Sequence, residues 1–141
     1  MKIFMSLIVI ILTTSITYAD YTIKNVYRFD NTDMIKNVDG SNIMYTTVTG
    51  VSEDSNGNRS TSKCLINVLN GVISGNCENV DQDGDIEYST VTRNMNKGTV
   101  GEIKRIGGTG KYENTSSTCE YTVEITDFKI GVGYLTASCI E

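Results

Sequence analysis

The chain has 141 residues, with 12 Lys and Arg against 17 Asp and Glu, and contains no histidine, proline or tryptophan. The missing histidine removes the side chain whose ordinary pKa suits acid–base work near neutrality. A net charge of −5 with no basic cluster beyond Lys104-Arg105 argues against a nucleic-acid partner.

The chain opens with one lysine, Lys2, then an apolar run from Phe4 to Leu12 and a polar stretch ending Thr17-Tyr18-Ala19. A basic start, a short apolar centre and small residues at the −3 and −1 positions are the marks of a secretory signal peptide over residues 1–19. The run is too short for a membrane helix, and no membrane association is expected after cleavage. Cleavage before Asp20 removes 19 of 141 residues and leaves 122, one domain's worth (20–141). Lys2 goes with the leader, so 11 basic residues then face 17 acidic ones, a balance of −6. The expected location is outside the cytoplasm, secreted or periplasmic.

Beyond the leader, short β-branched and tyrosine-rich runs alternate with Asn, Asp and Gly, and no segment keeps a helical period. Eight candidate strands follow, near 21–29, 42–50, 61–69, 72–80, 86–93, 99–106, 118–126 and 132–140, so the class is all-β. All four cysteines, Cys64, Cys77, Cys119 and Cys139, fall in this part. An even count in an oxidising compartment points to two disulfides, with three possible connectivities. Zinc would need closer cysteine pairs or histidines.

Two hairpins can be put in register from residues alone. Asn70-Gly71 separates "CLINVL" from "VISGNC", and Asn-Gly is a strong two-residue turn because both positions favour positive φ. Centring the turn there sets Val68 against Ile73, Ile66 against Gly75 and Cys64 against Cys77. The Cys64–Cys77 bridge therefore follows from the turn. In "CEYTVEIT", Cys119, Tyr121, Val123 and Ile125 alternate with polar residues, giving one buried face. Pairing Cys119 with Cys139 sets Tyr121 against Ala137, Val123 against Leu135 and Ile125 against Gly133. Crossed connectivities stay open for this second bridge.

Between these hairpins lies "NVDQDGDIE". Asn79, Asp81, Asp83 and Asp85 alternate as calcium ligands do, but Thr90 stands where a bidentate Glu would close an EF-hand loop. The stronger reading is a hairpin, with Asp83-Gly84 as a two-residue turn. Carried forward, that turn pairs Cys77 with Thr90 and Asn79 with Tyr88. Tyr88, Thr90 and Tyr121 then point inward with the disulfides, where they fill the interior or line a binding site. Leu65, Leu69 and Val72 fall on the opposite face, a surface a second copy of the chain could cover.

"GGTGKY", Gly107 to Tyr112, invites comparison with phosphate loops. A Walker motif needs glycine where Arg105 stands and Ser or Thr where Tyr112 stands, and the dinucleotide pattern fails at Glu113. The run reads as a turn, with Lys111 an exposed residue of few obligatory partners. Asn58-Arg-Ser and Asn114-Thr-Ser match glycosylation acceptors.

"GGTGKY" after one strand and shortly before another resembles the allene-oxide-cyclase-like and dirigent-like barrel group. The resemblance implies an eight-stranded antiparallel up-and-down β-barrel with this motif at a late turn. It carries over no catalytic residue. Together, the sequence leads to an exported, disulfide-stabilised barrel, non-enzymatic, binding a small apolar or amphiphilic ligand and needing no cofactor. A cyclase- or isomerase-like enzyme acting by confinement is the alternative and requires an inward carboxylate. A protein-binding or structural module is the third reading.

Overall fold

A computed structural model describes residues 21–140; the leader and its cleavage point lie outside them. Eight antiparallel strands follow one another around a closed barrel: β1 (Tyr21–Lys36), β2 (Asn42–Asp54), β3 (Arg59–Leu69), β4 (Val72–Asp81), β5 (Ile86–Asn94), β6 (Val100–Gly108), β7 (Ser117–Asp127) and β8 (Val132–Ile140). Closure comes from β1 pairing with β8, which sets Tyr21 opposite Cys139 and Arg28 opposite Val132. This is the simplest way to leave a sheet without free edges.

β1 and β2 run beyond the expected 21–29 and 42–50. After a register shift between Phe29 and Thr32, β1 leaves β8 behind and continues along β2, whose other edge stays paired with β3. Its residues there, DNTDMIK, are polar enough to read as loop, and Met34, Ile35 and Val38 are exposed.

The Asn70-Gly71 turn has positive φ at both residues, 52° and 78°. The β3–β4 register is the one that turn demands, with Cys64 opposite Cys77 and their Cα atoms 4.0 Å apart. Cys119 and Cys139 form the second disulfide across β7 and β8, and both are fully buried.

Two registers differ from expectation. On β7 a shift between Val123 and Ile125 sets Ile125 opposite Tyr134 instead of Gly133, so Ile125 turns outward at 64% exposure. Gly133 faces the Tyr27 ring, which lies where a β-carbon would be. The second difference, at the β4–β5 turn, decides which residues reach the interior. Cys77 pairs with Ser89 and Val80 with Ile86, one residue away from the two-residue-turn register. Gly84 alone carries positive φ (87°) here, Gly84 N–H donates to the Asp81 carbonyl, and Asp81 N–H donates to the Asp85 carbonyl. The loop is therefore three residues long, a type I turn closed by glycine.

Candidate functional site

The barrel is hollow. A cavity of about 510 Å³ runs inside it, lined by alternate residues of every strand. Its apolar wall is built on Tyr21, Tyr121, Ala137 and the Cys119–Cys139 bridge, with Ile23, Val91, Ile103, Val123 and Leu135 packed against them. Ser52, Ser60, Ser62, Asn79 and Ser89 give the lining of β2 to β5 a polar wall. Alternation on each strand produces this division, because every second side chain must face in.

At the end where β4 meets β5, charged groups gather. Asp81 is buried, and its Oδ1 accepts the backbone N–H groups of Asp83 (2.9 Å) and Asp85 (3.0 Å). Its Oδ2 takes Lys111 Nζ at 2.5 Å and the Tyr112 hydroxyl at 3.2 Å. Burial alone would raise the Asp81 carboxyl, but the hydrogen bonds from Lys111 and the two amides outweigh it, and its pKa is lowered. The hydrogen bond to Asp81 correspondingly holds the Lys111 ammonium well above the usual lysine range. Lys111 also reaches Asp83 Oδ2 (3.1 Å) and Asn58 Oδ1 (3.2 Å), so one ammonium ties three loops together over the mouth.

Just inside, Arg105 is 5% exposed and donates to Glu87 Oε2 through Nε and Nη2, each at 2.6 Å. Arg105 Nη1 donates to the Tyr21 hydroxyl and to Ser117 Oγ. The guanidinium lies 5.5 Å from the Tyr21 ring centre and 5.6 Å from that of Tyr112, so both rings hold it in place. Asn79 Nδ2 donates to Glu87 Oε1 at 3.1 Å. At the other end stand Arg93, Tyr27 and Tyr121. Burial pushes the Tyr121 hydroxyl up to about 12, against the opposing charge of Arg93. Tyr27 shares a hydrogen bond of 2.7 Å with Thr126 Oγ1.

Of the three residues expected inside, Tyr121 lines the cavity, whereas Tyr88 and Thr90 do not. Tyr88 is 42% exposed, and Thr90 borders a groove on the outer surface. The one-residue slip at the β4–β5 loop exchanges them for Glu87, Ser89, Val91 and Arg93, since a shift of one flips a whole strand. The carboxylates of the calcium-like loop face Lys111: its ammonium occupies the position between Asp81 and Asp83 that a cation would need. Asn79 belongs to the Glu87 pair, and Asp85 Oδ2 accepts the Lys111 backbone N–H at 3.2 Å.

"GGTGKY" is a turn, and a more committed one than its spacing conveyed. Gly110 has φ 53°, and a β-carbon there would meet the Asp85 carboxylate at 2.0 Å. Thr109 N–H donates to the Ile86 carbonyl, and Thr109 Oγ1 accepts the Ile86 N–H. The motif thus closes over the start of β5. Lys111, expected to have few partners, is the clasp of the loop cluster, and Tyr112 is buried beneath it.

Arg105, Glu87 and Ser89 are the interior residues that sequence reasoning missed. A signal for the register lay in the residues: Asp81 stands three before Gly84, the preferred Asp and Gly positions of a type I turn.

No protein-family model matches the chain, and neither does any curated protein. Among solved structures, the pterocarpan synthase dirigent protein GePTS1 superposes with a TM-score of 0.55, covering 86% of this chain and 87% of that one at 9% identity. The two chains share the barrel fold. At 9% identity the likeness is one of fold, and the residues that line this barrel are its own.

Proposed function

We propose that this chain is an exported dirigent-like barrel that binds one small amphiphilic molecule in its interior. The observation that carries the reading is a cavity of about 510 Å³ with an apolar wall on one side and hydroxyls and amides on the other. A space of this size with few convergent polar groups suits a small organic ligand. The cations at the mouth are already matched by Glu87, Asp81 and Asp83, so that end favours neutral hydrogen-bonding groups over a charged one. The two disulfides support export, because such bonds persist in oxidising compartments. Titration with 1-aminoanthracene, a neutral fluorophore, should give saturable one-to-one enhancement, and Val91→Trp, which fills the middle of the cavity, should abolish it. A wild-type protein giving no saturable signal defeats the reading.

A second reading is favoured by two observations. Glu87 and Asp81 supply the inward carboxylates that a confining cyclase or isomerase requires, and the solved barrel of like fold is named as a pterocarpan synthase. Here Asp81, held ionised below its ordinary range, would act as fixed charge within a confined space instead of donating a proton. Mass spectrometry of a ligand co-purified from the natural source decides between them. Recovery of the same compound after prolonged incubation supports a binder, and progressive conversion to an isomer supports an enzyme.

A further inference from the structure

Three cationic side chains line the cavity, Lys111, Arg105 and Arg93, and they are not equivalent. Lys111 is matched by Asp81 and Asp83, and Arg105 by Glu87. The carboxylates in the lining are Asp54, Asp81 and Glu87, and all three belong to the mouth, where β2 and β4 end and β5 begins. Asp54 Oδ1 accepts the N–H groups of Asn56 and Asn58 in its own loop.

Arg93 sits near the opposite end of β5, paired across the sheet with Ile73. Its Nε is buried and has no hydrogen-bond partner among the described residues. The neighbouring carboxylate on β6, Glu102, pairs with Thr92 on the outer face, where both are exposed. Glu124, on β7, is exposed and accepts from Thr136 Oγ1. Tyr121 and Tyr27 line the same end of the cavity as Arg93, and the Tyr27 hydroxyl shares a hydrogen bond with Thr126 Oγ1.

Arg93 is half-buried, and a guanidinium keeps its charge at any ordinary pH, so with no carboxylate of the lining at its end it is open to an anionic partner. Its planar fork matches a carboxylate, and such a bond strengthens away from water. We propose that the ligand of this barrel is an apolar carboxylic acid whose anionic head seats against Arg93, with Tyr121 and Tyr27 as adjacent hydrogen-bonding hydroxyls. The inference rests on the interior-binding reading and specifies its substrate class. Size agrees: the six steps from Glu87 to Arg93 along β5 span about 20 Å at roughly 3.3 Å per residue. A ten-carbon chain fits that length, with its body along the apolar wall.

The test is calorimetric titration of the oxidised protein with decanoate and with decan-1-ol, the neutral counterpart, on wild type, Arg93→Met and Arg93→Lys. Wild type should bind decanoate at least about tenfold more tightly than decan-1-ol, the scale of one charge-assisted contact. Arg93→Met should lose that preference while keeping its affinity for decan-1-ol, and Arg93→Lys should keep part of it. Equal affinities in wild type, or a preference that survives in Arg93→Met, overturns the carboxylate assignment and leaves interior binding standing. Binding of neither probe overturns both. Should Arg93→Met fail to fold, the wild-type pair and Arg93→Lys still decide.

Discussion

Asn70-Gly71 and Asp83-Gly84 are both Asx-Gly pairs between strands, yet they make different turns. The first is a two-residue turn, with positive φ at both residues. In the second only Gly84 has positive φ, and Gln82, Asp83 and Gly84 form the loop. The difference lies three residues before the glycine. Val68 stands there in the first case, whereas in the second Asp81 turns its carboxylate onto the amides of Asp83 and Asp85. The same arrangement recurs where Gly40 donates to the Asn37 carbonyl and Gly57 to the Asp54 carbonyl, each glycine having φ near 80°. An Asx three residues before the glycine therefore selects the three-residue loop, by offering the backbone a side-chain acceptor that the two-residue turn cannot use. One residue of loop then decides which face of β5 meets the cavity.

Removing the acceptor should produce the largest effect. Asp81→Ala is expected to cost about 2–4 kcal/mol, because it strips partners from two loop amides, Lys111 and the buried Tyr112 hydroxyl. Denaturant unfolding measures this. A pH series sharpens the result. The Asp81 pKa is lowered on folding, so its stabilisation is present above the unfolded carboxyl value of about 4 and disappears as pH falls through the lowered folded value. Lys111 is raised, so its share is present below the ordinary lysine value and is lost only as pH climbs through the raised one. Asp81→Asn should accordingly lower the melting temperature at about pH 7 and make little difference at about pH 2. An equal deficit at both would detach the carboxylate charge from the loop's stability.

The turns themselves can be contrasted with one substitution. Asn70→Val forces a β-branched residue to positive φ and should cost on the order of 1–3 kcal/mol. Asp83→Val, at negative φ, should cost less than about 1 kcal/mol. Similar losses at both sites would contradict the two turn types.

The smallest effect is expected outside the barrel. Tyr88→Ser removes an exposed ring and should change stability by less than about 0.5 kcal/mol. Its neighbour Ser89 is 2% exposed and faces in, so Ser89→Tyr should cost stability and block 1-aminoanthracene. The reverse ranking would restore the two-residue register.

Strand locations, the Cys64–Cys77 register and the turn at "GGTGKY" were legible in the sequence because each rests on local chemistry. β-branched alternation, an Asn-Gly pair and closely spaced glycines limit the backbone whatever surrounds them. The interior site was less legible. Tyr121 could be placed because its strand holds register from the cysteine as far as Val123, whereas Ile125 could not, because the register shift there breaks alternation. Tyr88 and Thr90 were misplaced because facing sense accumulates along a strand, and one unread loop residue reverses it. Lys111 looked like an ordinary exposed turn residue, since its partners Asp81, Asp83 and Asn58 lie 28 to 53 positions away along the chain. Curvature of the sheet into a barrel gathers those loops over one mouth, while Arg105 and Glu87 meet across the β5–β6 pair and Arg93 is left at the end without a lining carboxylate. Local sequence determined where this chain turns and pairs. Tertiary structure decided which charges are matched, because matching depends on distances that sequence separation does not carry.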